Sequence, residues 1–298
     1  MKPASIPVWA RTISAALVVL PAILQAEEAT PAGASPGHLE AESGGVAPVP
    51  AGRPRFWQRI TAYEPNYFLV EPAPPGGRDL NAKLQFSFAF QLLGNPHLEI
   101  EQGDERADGL YTAYSQTSFW DLAAESRPFL DTSYRPEAFW HEGFEPGLLG
   151  SDGLAGEIGV SHESNGRAGE DSRGYNTVFI RPMMRWDLPE GVWLRASPRL
   201  QTYIGSLDGN PAIKHYRGIG DVDVAIGVRD GALLTLMSRI SKRSCVQADL
   251  SYPVDRFTAG WLHGYLYAQY FWGYSETLLD YNKQVEQPRM LIGFAFTR

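Results

Sequence analysis

Residues 82–92 read Ala82-Lys83-Leu84-Gln85-Phe86-Ser87-Phe88-Ala89-Phe90-Gln91-Leu92. Leu84, Phe86, Phe88, Phe90 and Leu92 occupy every second position, with Lys83, Gln85, Ser87, Ala89 and Gln91 between them. A strand turns the two sets to opposite faces, whereas a helix would scatter the apolar set around its circumference. The alternation recurs. Val192, Leu194, Ala196, Pro198 and Leu200 alternate with Trp193, Arg195, Ser197, Arg199 and Gln201, and Val222, Val224, Ile226 and Val228 alternate with Asp221, Asp223, Ala225, Gly227 and Arg229. Met290, Ile292, Phe294 and Phe296 repeat the pattern at the end. Further strand-like stretches lie at Asn66–Glu71, Leu110–Trp120, Pro136–His141, Leu154–Asn165, Asn176–Trp186, Ala232–Ile240, Val246–Tyr252 and Leu262–Trp272, about twelve in all, with Gly, Pro, Asn and Asp clusters between them.

Alternation by itself fits a membrane barrel, a soluble sandwich or a lipocalin-like barrel, each of which has one apolar and one polar face per strand. The long strands, the arginines on the non-apolar side and the Trp and Tyr residues near strand ends (Trp120, Trp186, Trp193, Tyr252, Trp261, Trp272) favour an apolar outer band with aromatic girdles and a polar interior. The expected fold is therefore all-β: a twelve-stranded antiparallel transmembrane β-barrel over residues 55–298. On Leu110–Trp120 the outward register carries Thr112, Gln116 and Ser118 among Leu110, Tyr114 and Trp120. Amides and hydroxyls facing hydrocarbon are costly unless paired, so this wall calls for a subunit interface to cover it.

Of the 298 residues, 12% are aromatic and 20% charged; the net charge is −8 and no Lys/Arg-rich run is present, which argues against a nucleic-acid partner. Cys245 is the lone cysteine, so no intramolecular disulfide and no multi-cysteine metal site can form. At the start, Lys2 and Arg11 flank a short apolar stretch, Ile13–Leu24, which reads as a secretory signal peptide spanning 1–26 and cleaved after Ala26. Residues 27–54 are rich in Ala, Gly, Pro and Glu with almost no large apolar side chain, the composition of a disordered extension.

The candidate chemistry lies in the run from His162 to Asn176, HESNGRAGEDSRGYN. Across two strands joined by a turn, His162 and Ser164 share a face with Leu154, Ile158 and Val160, and Asn176 can approach from the neighbouring strand, while Glu157, Ser161, Glu163 and Asn165 point the other way. Base, nucleophile and orienting amide would then stand together on the apolar side. Each residue alone has a plainer use: His162 as a hydrogen-bonded structural residue, Asn165-Gly166 as hairpin chemistry, Ser126 and Ser172 as loop hydroxyls.

Their joint occurrence resembles the signature of outer-membrane phospholipase A. The similarity rests on His162-Glu163-Ser164-Asn165-Gly166-Arg167, Ser172-Arg173 and Asn176, and extends through Asn66-Tyr67, Tyr111 to Trp120 with Gln116, Pro128-Phe129, Thr132, Tyr134-Arg135-Pro136 and Gly273 to Asn282. It implies a barrel in the cell outer membrane, with the site on its outer surface, that hydrolyses acyl esters of glycerophospholipids and lysophospholipids. In that resemblance Ser164 is the nucleophile, His162 the general base and then acid, and Asn176 the partner that fixes the imidazole tautomer. It further implies Ca2+ held between two subunits of an active homodimer by the Arg167 carbonyl and Ser172 hydroxyl of one and Ser126 of the other. The Gly166 amide is then the oxyanion donor and Gln116 a polar residue near the dimer contact. Two departures stand out: Glu163 replaces the usual Asp, and Arg127 stands where a second hydroxyl is usual. A non-enzymatic outer-membrane barrel, either channel or structural protein, and a soluble exported esterase are the rival readings.

Overall fold

The computed structural model describes residues 56–72, 81–94, 106–258 and 260–298. The signal peptide and the extension expected at 1–26 and 27–54 lie outside them. The strands are β1 (Ile60–Thr61), β2 (Asn66–Val70), β3 (Asn81–Leu93), β4 (Gly109–Asp121), β5 (Phe129–Phe144), β6 (Gly153–Ser164), β7 (Gly174–Asp187), β8 (Val192–Ile204), β9 (Gly220–Val228), β10 (Leu233–Arg239), β11 (Cys245–Pro253), β12 (Tyr265–Gly273) and β13 (Arg289–Thr297). Each pairs antiparallel with its neighbours, and β13 pairs back onto β2, so β2 to β13 close into a twelve-stranded barrel. The two-residue β1 pairs with the far end of β3 as a broken continuation of β2. Among the described residues, closure gives each of β2 to β13 a neighbour on both sides, the condition for a sheet to sit in hydrocarbon.

The expected strand set appears, with one change of length. The stretch read as Pro136–His141 is a sixteen-residue strand that runs straight through Pro136. Proline has no N–H to give the ladder. The sheet absorbs this at one place: β4 pairs with β5 without interruption there, whereas β5–β6 pairing steps from Tyr134↔Ser164 to Glu137↔Ser161 and skips the positions between.

Outside, Ile158, Val160, Ile180, Leu200, Leu266, Met290, Ile292 and Phe296 are exposed. Inside, Tyr111 stacks on Phe139 with ring centroids 5.5 Å apart, and Tyr63 lies against the same ring at 5.4 Å. Several enclosed charges are paired. Arg199 donates to Glu137 at 2.6 Å, and Glu157 lies between Arg106 at 3.2 Å and Arg181 at 3.4 Å. Such pairing is needed because an unpartnered charge behind an apolar wall is costly. Around these groups a polar cavity of 1340 Å³ remains. Trp193, expected in an outer girdle, faces this interior, its ring contacted by the guanidiniums of Arg185 and Arg195 and packed across Gly227. Its inward register, opposite Gly227, overrides the tendency of strand-end aromatics to seek an interface.

One rim is formed by the loops after β4, β6, β8 and β12. There Tyr175, Ile213, Leu278 and Tyr281 form a buried cluster that closes over the mouth, with Ile213 carried on a short helix, α1 (Ile213–Tyr216). At the other rim, Phe257 of α2 (Asp255–Thr258) and Trp261 are exposed.

Candidate active site

The β6–β7 hairpin places His162 directly opposite Asn176, and Ser164 opposite Gly174. Glu157, Ser161, Glu163 and Asn165 are buried inside, so the outward register expected for His162 and Ser164 holds. His162 Nδ1 and Asn176 Oδ1 are 2.8 Å apart. The reason lies partly in β5. Pro136 faces His162 across the β5–β6 gap, so the His162 peptide groups point toward β5, and on the β7 side His162 and Asn176 form the closer, non-hydrogen-bonded type of pair. Their side chains therefore meet. A Cβ on Gly174 would lie 3.4 Å from the Ser164 Cβ and 3.8 Å from the His162 Cε1. The missing side chain thus leaves one open recess shared by hydroxyl and imidazole.

Beneath the outer face the hairpin is anchored by Glu163. Ser133 Oγ donates to its carboxylate at 2.6 Å, Tyr175 OH donates to it as well, and Arg217 approaches to 3.3 Å. Burial works against the Arg217 charge, but the Glu163 carboxylate together with Tyr175, Cys245 and Tyr203 outweighs it and holds the guanidinium pKa above its ordinary value. Glu for Asp at 163 is thus accommodated within a satisfied inner network.

Asn165-Gly166 does not make a two-residue hairpin; the chain loops from 165 to 173 before β7 begins. Asn165 is buried and shapes that loop. Its Oδ1 accepts from Arg173 N at 2.9 Å and Arg167 N at 3.3 Å, while its Nδ2 donates to the Asp171 carbonyl at 2.8 Å. Gly166, at φ +67°, takes a backbone conformation that side chains rarely adopt, and a Cβ there would press to 3.0 Å against the Tyr134 ring. Both observations call for glycine.

Arg167 and Ser172 are exposed on this loop, which joins directly to the hairpin that carries His162, Ser164 and Asn176. Gln116 joins through a row of directly opposed residues, Gln116–Tyr134–Ser164, two strand spacings or about 10 Å across. Its side chain accepts from Tyr114 OH at 2.9 Å and donates to Ser118 Oγ at 3.3 Å. Ser126 stands apart, exposed on the β4–β5 turn, where Arg127 adopts φ 47° and its carbonyl accepts from Trp120 Nε1 at 2.8 Å. Sequence reasoning gave no separate role to Asn165 or Tyr134. The signal for Tyr134 was its outward register beside Ser164; Asn165 was hidden by its inward register.

Among solved structures, outer membrane phospholipase A from Escherichia coli superposes with a TM-score of 0.64 at 26% identity, covering 80% of this chain and 91% of that one. A Salmonella typhi outer membrane phospholipase dimer with bound calcium matches at the same TM-score and 27% identity, covering 92% of its chain. The Phospholipase A1 family profile matches residues 58–296. The chain belongs to the phospholipase A1 family. A curated member, phospholipase A1 of Salmonella typhimurium, is 32% identical over 189 residues, which is 62% of this chain and 61% of the relative; the match thus spans about three fifths of that protein's length. Within the family frame, the exposed β6–β7 hairpin is the part of the barrel wall where an imidazole, a hydroxyl and an amide converge.

The loop also suits a hard cation. Among the described residues no group of three or more His, Cys, Asp or Glu is arranged to hold a metal ion. The 165–173 loop carries the exposed residues Arg167, Glu170, Asp171 and Ser172, whose peptide carbonyls, carboxylates and hydroxyl are oxygen donors of the kind calcium accepts.

Proposed function

We propose that this protein is a calcium-dependent phospholipase of the outer membrane, hydrolysing acyl esters of glycerophospholipids and lysophospholipids with Ser164, His162 and Asn176 on the outer wall of its barrel and gaining activity on dimerisation. The observation that carries this reading is the 2.8 Å His162–Asn176 contact on an exposed face, with Ser164 one register step along the same recess. An Asn176 oxygen facing Nδ1 requires the ring to donate there, leaving the Nε2 lone pair free. Nε2 then takes the Ser164 proton as Oγ adds to the ester carbonyl, and returns it to the departing alcohol oxygen. Water attacks the acyl-enzyme in the same way, the proton passing through His162 back to Ser164 as fatty acid leaves.

Asn176 is neutral, so it orients the imidazole but gives the imidazolium less help than a carboxylate would. The Gly166 amide would donate to the oxyanion. Calcium, when held by the Arg167 carbonyl and Ser172 hydroxyl with Ser126 of a second copy, would supply positive charge beside that oxygen. The position of the triad on a lipid-facing wall lets an acyl chain reach Ser164 without leaving the hydrocarbon layer.

The test is fatty-acid release from phospholipid in detergent micelles by refolded protein with calcium, with EDTA, and with Ser164→Ala. A loss of at least about a thousandfold is expected for the variant, the scale on which removal of a nucleophile acts. Undiminished release by Ser164→Ala would end the reading.

A further inference from the structure

The segment Gly273 to Asn282 supplies no group to the mechanism, yet it is not a free surface loop: Ser275 and Leu278 are fully buried and Tyr281 nearly so. Its strongest polar link runs to the start of β5. Asp131, buried in the barrel mouth, accepts the N–H of Leu278 at 3.0 Å and that of Leu279 at 2.8 Å, both on Oδ2. Its second oxygen, Oδ1, is buried without a hydrogen-bond partner and faces Arg167 Nε at 3.8 Å. The Arg167 guanidinium also donates to the Leu130 carbonyl, next to Asp131. On the far side of the same loop, the Arg173 guanidinium lies over the Tyr281 ring at 5.9 Å, and Asn210 Nδ2 donates to the Gly174 carbonyl at 2.6 Å. The 165–173 loop is thus held from the mouth side by residues that never reach the reacting atoms.

We infer that Asp131 is a positioning residue: fixed by the two amides of the mouth loop, its carboxylate holds the Arg167 side chain and thereby aims the Arg167 carbonyl for cation binding. The inference rests on the proposed calcium site and names what sets its affinity. A buried carboxylate with one oxygen satisfied and the other open toward a cation 3.8 Å away is an arrangement that holds its partner electrostatically while leaving it room to settle. The Asp131 side chain is almost fully shielded and that of Arg167 about one third exposed, so the pair is screened less than a surface ion pair.

The experiment is calcium titration of refolded, detergent-solubilised protein by calorimetry, alongside the calcium dependence of lipid hydrolysis. Wild type, Asp131→Asn, Arg167→Gln and the double variant are compared. Asp131→Asn keeps the shape and an oxygen for the Leu278 and Leu279 amides but removes the charge facing Arg167. Each single variant should weaken calcium binding about tenfold, the scale of a partly shielded charged contact. For Asp131→Asn, which touches neither the triad nor a proposed cation ligand, the maximal rate at saturating calcium should stay within about twofold of wild type. The double variant should be no weaker than either single one, because both act through the same contact. Equal affinity in wild type and both single variants, or additive losses in the double, would overturn the inference. If Asp131→Asn does not refold, unchanged affinity in Arg167→Gln alone is sufficient to overturn it. A wild type that binds no calcium would instead sink the calcium reading on which the inference stands.

Discussion

The outer wall of β4 to β7 and that of β12 and β13 belong to one closed sheet but are built on opposite rules. On β12 and β13 the outward side chains are Leu266, Ala268, Tyr270, Trp272, Met290, Ile292, Phe294 and Phe296, with Leu266, Met290, Ile292 and Phe296 each more than half exposed. On β4 to β7 the outward row near the rim carries Tyr114, Gln116, Ser118, Thr132, Tyr134, His162, Ser164 and Asn176. These polar groups bond mostly to one another: Tyr114 to Gln116, Gln116 to Ser118, Thr132 to Ser118 at 3.1 Å, and His162 to Asn176. Mutual pairing removes much of the penalty for facing lipid, so the barrel can keep reactive groups on an outer wall without unfolding. One wall is apolar throughout its middle, the other carries a hydrogen-bonded polar row.

The largest expected effect breaks the comparison with a single charge. Ile292→Arg puts a guanidinium at the middle of β13, opposite Ala268 and Val70, whose side chains carry no hydrogen-bond acceptor. Unfolding titrations in lipid should show a loss of about 2–4 kcal/mol. Gln116→Arg on the polar wall, among hydroxyls already bonded to residue 116, should cost less than half as much. Equal costs at the two sites would show that the polar wall is not distinct as a solvent environment.

The contrast also explains what the sequence made legible. Strand positions followed from alternation because a half-buried strand imposes period 2 on its residues, and every expected strand was found. Pro136 concealed the first half of β5, because a proline inside a central strand normally argues against one; the gap opposite His162 that accommodates it depends on register across two strands. Trp193 was read as a girdle residue from its place near a strand end, yet its own alternation already turned it inward. His162, Ser164 and Asn176 were legible because a hairpin converts short spacing into proximity. The roles of Asn165, Tyr134 and Asp131 were not, since they arise from contacts with a folded loop or across strands distant in sequence. The partners of the mouth loop at 274–288, Asp131 and Arg173, likewise lie more than a hundred residues earlier.

A middle-sized effect sharpens the comparison at the triad. Asn176→Ala removes the only oxygen bonded to the imidazole in this structure while leaving the hairpin register intact, and hydrolysis should fall about tenfold, equivalent to about 1.4 kcal/mol of transition-state stabilisation. Asn176→Asp keeps the acceptor and adds a charge. A carboxylate beside the ring favours imidazolium, so the acid limb of the pH–rate profile should move to higher pH in this variant, because the base must be neutral to accept the Ser164 proton. An unmoved acid limb with normal turnover would mean that residue 176 does not face the catalytic imidazole during the reaction.

The smallest effect concerns what covers the polar wall. Gln116 already bonds within its own chain to Tyr114 and Ser118, so Gln116→Ala should change monomer stability by only about 0.5–1.5 kcal/mol. If this wall is the one that meets a second copy, the same substitution should weaken calcium-dependent dimerisation by about 1 kcal/mol, a fivefold shift readable by sedimentation in detergent. Ile292→Ala on the opposite wall should leave the dimerisation constant unchanged. On the proposed reading the two substitutions separate the reasons a side chain can face outward, lipid for Ile292 and a partner for Gln116. Were Ile292→Ala to weaken the dimer more than Gln116→Ala does, the contact would lie on the apolar wall, and the polar row from Gln116 to Ser164 would face lipid supported by its internal hydrogen bonds alone.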